Sequence, residues 1–246
     1  AKDDNHVVEA LQHAGIDCFP VYSPYSTLMT LEYKTHNVDQ RNLYVKRVGG
    51  TIQADHLDGL TANAIVVSPS LRGEVEPEFF EIMRKRAGVI LAADVQGFVR
   101  VLRGETLVYE PWDAMGRVLV NIDILKSDAV EAEYLTGKTD IEEAARVFAG
   151  FGAKEIVLTH RDGVLIHARG EFHHFLFHSA SMAGRSGRGD TCLGSYVAKR
   201  LSLPPREAGM WAAAATSLKV EKIGPFNRPI SEVEAFIQRY YANGHV

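Results

Sequence analysis

Cysteine is nearly missing from this chain. Only Cys18 and Cys192 occur, far apart and outside any CxxC spacing, which excludes both a disulfide framework and a cysteine zinc site. No apolar run approaches the ~20 residues needed to span a bilayer. The opening residues Ala1-Lys2-Asp3-Asp4-Asn5-His6 are polar, unlike a signal peptide. An excess of positive charge is also lacking: 27 Lys and Arg stand against 31 Asp and Glu, for a net charge of −4. With no Lys/Arg cluster, that balance argues against a nucleic-acid surface. No internal repeat, low-complexity tract or interdomain linker is visible. A cytoplasmic enzyme acting on a small molecule, with neither nucleic acid nor membrane as partner, is the expectation.

What is present suits one large α/β domain: 246 residues, 46% of them hydrophobic and 24% charged. Short β-branched runs at 64–67, 89–94, 122–125 and 156–159 alternate with helical patterns at 77–85, 128–135 and 141–150. That rhythm predicts a three-layer, Rossmann-like parallel sheet with helices on both faces. Residues 164–167 and 172–177, joined through Arg169-Gly170-Glu171, read as an antiparallel hairpin. The C-terminal third reads as helices over 190–201, 206–220 and 231–242. Residues 19–48 differ, with alternating runs at 28–33 and 42–46 facing each other across Lys34–Arg41. They read as a small β flap, or lid, inserted in a core of residues 1–18 and 49–246.

The most informative stretch is Ser186-Gly187-Arg188-Gly189-Asp190-Thr191-Cys192-Leu193-Gly194. A glycine-rich turn opening a helix presents backbone N–H groups at the positive end of the helix dipole, an arrangement that binds phosphate. An aspartate on the first turn is poorly placed to bind an anion and well placed to take a proton beside one. On the motif alone, an ordinary helix start with Asp190 favoured by the dipole is an equal reading.

Four patches in order make the chain resemble the ribokinase-like (PfkB) carbohydrate kinases. Gly187-Arg188-Gly189-Asp190-Thr191 with Gly194 resembles the family's Gly-Ala-Gly-Asp-Thr-Phe-x-Gly signature. Residues 124–137 resemble the segment carrying its Asn-x-x-Glu motif, and Asp94 to Arg100 its Asp-x-x-x-x-x-Arg element. Ile156-Val157-Leu158-Thr159, followed by Gly163, resembles its nucleotide-side strand and turn. The resemblance implies ATP-dependent phosphoryl transfer to a hydroxyl of a sugar or related polyol. Asp190 would be the base, and Gly187, Arg188 and Gly189 the anion hole. Asp128 and Glu131 would hold Mg²⁺, directly or through water. Thr159, Gly163, Ala213, Ala214, Ser217 and Gly224 would lie along the nucleotide. Asp94 either approaches the substrate or caps a helix, and Arg100 either pairs with that acid or reaches phosphate.

The departures define a second reading. Asp128 replaces the motif's Asn, Arg188 stands where a small residue is usual, and Gly184 replaces the acid associated with a monovalent cation, which puts potassium activation in doubt. Ala1 to Leu11 resembles a segment that lies well inside the family, so its leading strands and early substrate-binding motifs are expected to be missing here. A nucleotide- or sugar-binding homologue without turnover is therefore the alternative. His173, His174 and His178 suggest a metal cluster, but neighbouring strand residues project to opposite faces, so they read as surface and edge residues. Cys192 reads as a packing residue. Tyr22, Tyr25 and Tyr33 of the flap serve substrate contact or a homodimer through the lid.

Overall fold

The computed structural model describes residues 1, 4–33, 41–184 and 186–241. Helix α1 (Asn5–His13) precedes strands β1 (Leu28–Tyr33) and β2 (Arg41–Arg47). There follow β3 (Ala64–Val67), α2 (Pro77–Met83), β4 (Ile90–Asp94), α3 (Gln96–Val99), β5 (Arg100–Arg103) and β6 (Thr106–Tyr109). The middle of the chain supplies α4 (Met115–Leu119), β7 (Ile124–Asp128), α5 (Ala129–Thr136), α6 (Ile141–Gly150) and β8 (Glu155–Thr159). It closes with β9 (Gly163–Ala168), β10 (Glu171–Leu176), α7 (Arg188–Arg200), α8 (Pro205–Val220) and α9 (Ile230–Tyr240). Among the described residues no helix is long and apolar enough to cross a membrane.

The main sheet has the order β10-β9-β8-β7-β4-β3. Strands β3, β4, β7 and β8 run parallel, and the β9–β10 hairpin adds to β8 antiparallel. The central parallel strands β4 and β8 are apolar along most of their length, and β7 over its first two residues, because they are covered on both faces, with polar residues toward their ends. Successive side chains leave on opposite sides. Leu91, Ala93, Leu125, Ile156 and Leu158 therefore join Phe79, Phe80, Phe98, Leu119 and Phe148 on one face. Ala92, Ile124, Val157, Val164 and Ile166 join Leu193, Tyr196, Ala212 and Ile237 on the other. The result is the expected three-layer α/β fold. Each fully buried large side chain contributes about 1.5–3 kcal/mol.

Two details differ from the sequence reading. The strand expected over 122–125 runs instead from Ile124 to Asp128. Asp123 is held outside it, accepting the Leu91 N–H and pairing with Arg84 and Lys154. The flap strands β1 and β2 do not stand alone: the β5–β6 hairpin continues them into a four-stranded sheet of order β1-β2-β6-β5. Residues 34–40 of the connection between β1 and β2, and the Tyr33 side chain, lie outside the described residues. Tyr22, Tyr25, Leu28 and Leu31 are exposed.

Candidate active site

The C-terminal ends of β4, β7 and β8 finish at one edge of the sheet, where parallel α/β folds open their ligand crevices. Helix α7 begins there. Its N-cap is Gly187 at φ 81°, a left-handed backbone that glycine adopts without strain. The N–H groups of the first turn have no acceptor within the helix, and Asp190 sits on that turn, exposed. The Arg188 guanidinium lies 5.9 Å from the centre of the Phe177 ring. The structure thus brings Gly187, Arg188, Gly189 and Asp190 together as one turn, with a solvent-accessible carboxylate beside the positive end of a 13-residue helix.

Two lysines that the sequence reading passed over flank this turn. Lys126, in the middle of β7, pairs with Asp94 at the end of β4, with Nζ 3.0 Å from Oδ2. The two are register partners on neighbouring strands. A Cβ on Gly189 would lie 2.8 Å from Lys126 Nζ, so glycine is what lets the ammonium pack under the turn. Burial alone would pull this lysine down, but Asp94, Glu131 and Asp128 together hold it well above the ordinary lysine range. Lys219, from the last turn of α8, approaches from the other side; its Cε lies 3.5 Å from the position of a Cβ on Gly187.

Of the remaining acids near the turn, Glu131 and Asp94 are committed to structure through both oxygens and Asp128 through one. Asp128 and Glu131 form the capping box of α5: Asp128 Oδ1 accepts the Glu131 N–H at 2.8 Å, and Glu131 Oε2 accepts the Asp128 N–H at 3.1 Å. Glu131 Oε1 also receives Arg100 Nη2 at 3.3 Å. Glu131 has no exposed surface, and burial pushes its carboxyl up to about 7, against the pull of Lys126. Asp94 uses Oδ1 on the Gln96 N–H and Oδ2 on Lys126, and is 1% exposed. Neither Asp94 nor Arg100 presents surface for direct substrate contact, and the buried Arg100 Nε has no hydrogen-bond partner among the described residues.

The residues expected along a nucleotide are mostly interior. Ala213, Ala214 and Ser217 are fully buried in α8. The Ser217 hydroxyl donates to the Ala213 carbonyl and accepts the His178 N–H. Thr159 is buried and donates to the Ser127 carbonyl at 3.4 Å. Gly163 is buried at the start of β9, at the open end of the β9–β10 hairpin, and a Cβ there would lie 2.3 Å from the Phe175 carbonyl oxygen. Gly224 alone of the six is exposed, in the turn after α8. The histidines do not converge. His174 bonds Glu142, His178 stacks on Tyr240, and among the described residues no group of three or more His, Cys, Asp or Glu could hold a metal. Burial pushes the Cys192 thiol up to about 11, consistent with packing rather than reactivity.

Comparison of the whole fold with solved structures decides what this arrangement belongs to. A pyrophosphate-dependent kinase in the ribokinase family, solved with a pyrophosphate analog and myo-inositol, superposes with a TM-score of 0.86 at 31% identity. The match covers 96% of this chain and 82% of that one. The chain belongs to the ribokinase family. A sulfate complex of a pyrophosphate-dependent kinase in the ribokinase family matches at 32% identity and a TM-score of 0.88, covering 96% of this chain and 83% of that one. Ribokinase from Thermotoga maritima shares the fold at 19% identity and a TM-score of 0.72, covering 97% and 78% of the two chains. No family model matches the chain, and no curated protein matches it significantly. The relatives that show the family are kinases, one of them solved with myo-inositol.

Mg²⁺ was expected on Asp128 and Glu131. Glu131 does not fit as a direct ligand, since it has no exposed surface and both its oxygens are engaged. Asp128 is half-buried and uses only Oδ1, which leaves one carboxylate oxygen. A single carboxylate suits a magnesium ion that arrives with its phosphates and keeps most of its water, rather than a resident ion in a protein cage.

Proposed function

We propose that this ribokinase-family chain transfers a phosphoryl group from pyrophosphate to a hydroxyl of a polyol such as an inositol. The observation that carries the reading is Asp190: it is the exposed acid on the first turn of α7, beside N–H groups that an anion can occupy. Asp94 and Glu131 nearby are buried and paired. In this reading the acceptor hydroxyl gives its proton to Asp190 as its oxygen attacks phosphorus. The bond from phosphorus to the bridging oxygen breaks, and inorganic phosphate leaves with the electron pair. The first-turn N–H groups stabilise charge on the transferring oxygens. Asp128 faces the magnesium that accompanies the substrate.

Three features support pyrophosphate as donor. Arg188 and Lys219 put two cations at the turn where the family's usual pattern has a small residue in place of the arginine. Ala213, Ala214 and Ser217 offer no surface to a base. The relatives at 31–32% identity are pyrophosphate-dependent. ATP as donor is the second reading, favoured by exposed Ile223 and Met182 close to the turn, which provide apolar surface for a base.

The test is phosphorylation of myo-inositol, ribose and other polyols with pyrophosphate or ATP, read by mass spectrometry of the product. The proposal expects product with pyrophosphate, and Asp190→Asn slowing turnover by about 10²–10⁴-fold. Product with ATP alone establishes the second reading. No product with either donor, despite ligand binding, establishes the non-catalytic alternative.

A further inference from the structure

Lys219 is the basic side chain in this site whose charge has no acid to answer it. It is only 3% exposed. Its Nζ reaches the carbonyl oxygens of Gly184 at 3.2 Å and Lys222 at 3.4 Å, and among the described residues no carboxylate lies within ion-pair distance. The other two buried basic residues of the site differ: Lys126 has Asp94, and Arg100 has Glu131. A desolvated ammonium without a counter-ion is unfavourable, more so beside the positive end of a helix. Two long bonds to carbonyl oxygens relieve that only in part. Burial pulls Lys219 below the ordinary lysine range, the direction opposite to Lys126. The arrangement becomes favourable when an anion enters the turn.

The position of Lys219 indicates which part of the anion it meets. The transferred phosphoryl group has to lie within reach of the hydroxyl held by Asp190, at the third residue of α7. Lys219 packs against Gly187, the N-cap, on the side of the turn reached from α8. We infer that Lys219 binds the leaving phosphate of the donor and is the residue that lets an inorganic pyrophosphate serve without a nucleoside. The inference rests on the donor reading above and adds a specificity-determining residue to it. As the anhydride bond breaks, negative charge grows on the departing phosphate, and a nearby ammonium meets that charge directly.

The test compares wild type with Lys219→Met and Lys219→Gln in the full chain. Pyrophosphate binding is measured by calorimetry, thermal stability with and without pyrophosphate, and KM for each substrate. Both variants should keep or exceed the wild-type melting temperature without ligand, because a buried lone charge has been removed. Both should bind pyrophosphate about tenfold or more weakly and lose most of the ligand-induced thermal shift. KM for the polyol should stay within about twofold. Wild-type affinity for pyrophosphate in either folded variant overturns the role of Lys219 while leaving the donor reading intact. A wild-type chain that uses ATP and binds no pyrophosphate overturns the donor reading, and this inference with it.

Discussion

Replacing Lys126 by methionine isolates the electrostatics beneath the anion turn. The side chains of Lys126 and Asp94 are 6% and 1% exposed, with Nζ 3.0 Å from Oδ2. Methionine keeps much of the stem and removes only the charge, which leaves the Asp94 carboxylate desolvated with the Gln96 N–H on its other oxygen. Breaking a buried pair from one side costs about 3–5 kcal/mol. In a domain of this size each kcal/mol lowers Tm by about 2–4 °C, so the expected loss is roughly 6–20 °C. The double variant Asp94→Asn/Lys126→Met removes both charges and keeps an acceptor for the Gln96 N–H, so it should recover to within about 1–2 kcal/mol of wild type. Urea denaturation of wild type, Lys126→Met, Asp94→Asn and the double variant, with m-values compared, measures the coupling. A single variant that loses less than about 1 kcal/mol, or a double variant no more stable than the single, would refute the reasoning.

Three further outcomes are expected. Arg188→Ala should raise KM for the phosphate donor about tenfold or more and flatten its salt dependence, since a charge-assisted bond contributes about 1.5–3 kcal/mol; steady-state kinetics over a salt series checks this. Glu131 is raised by burial from 4.5 to about 7, so the folded chain holds this proton more tightly than the unfolded one. Wild type should therefore lose up to about 3 kcal/mol relative to Glu131→Gln as pH rises from 4.5 to 7, with no further change above; denaturant midpoints of the two proteins across that range measure it. Tyr196 donates to Glu155 Oε2 at 2.7 Å, and Arg200 holds the same carboxylate through both oxygens at the opposite end of β8 from the site. Tyr196→Phe should cost about 1.5–3 kcal/mol of stability with kcat unchanged.

The site was legible in the sequence where it is local and hidden where it is not. The turn Gly187 to Asp190 is contiguous, so the glycines, the helix start and the acid could be read together. Asp128 and Glu131 were visible as a three-residue spacing, but the spacing alone does not reveal the capping box they form, which together with Arg100 engages both oxygens of Glu131 and one of Asp128. Lys126 and Lys219 gave no local signal. One stands on a strand and the other near the end of a helix, where lysine ordinarily faces water. They reach the turn through the register of β4 with β7 and the packing of α8 on α7. The run Ala212-Ala213-Ala214-Ala215 gave no sign of its burial: all four are buried where α8 packs on α7. The β5–β6 hairpin did carry a signal: Gly104 at φ 63° opens a two-residue turn between two alternating runs. What could not be read was that it would continue β1 and β2, which come some sixty residues earlier, through the single pairing of Tyr44 with Thr106.

The charges around the turn sort themselves by burial, and that sorting is the strongest argument for the roles assigned to them. Asp94 with Lys126, and Glu131 with Arg100, are ion pairs closed inside the domain, so neither acid is placed to accept a proton from a substrate. Their net effect is to stiffen the ends of β4 and β7 and to keep an ammonium beneath Gly189. Asp190 and Asp128 retain access to solvent. Asp190 lies on the first turn of α7, where the proposed function brings an acceptor hydroxyl to a phosphate. Asp128 stands at the N-terminus of α5, where it caps the helix with Oδ1; the proposed function uses its other oxygen toward the metal that accompanies the substrate. Lys219 breaks the pattern: the residue is 3% exposed, and among the described residues its ammonium has only carbonyl oxygens as partners. On the inference drawn above, an anion entering the turn would answer that charge, as Asp94 answers Lys126 and Glu131 answers Arg100.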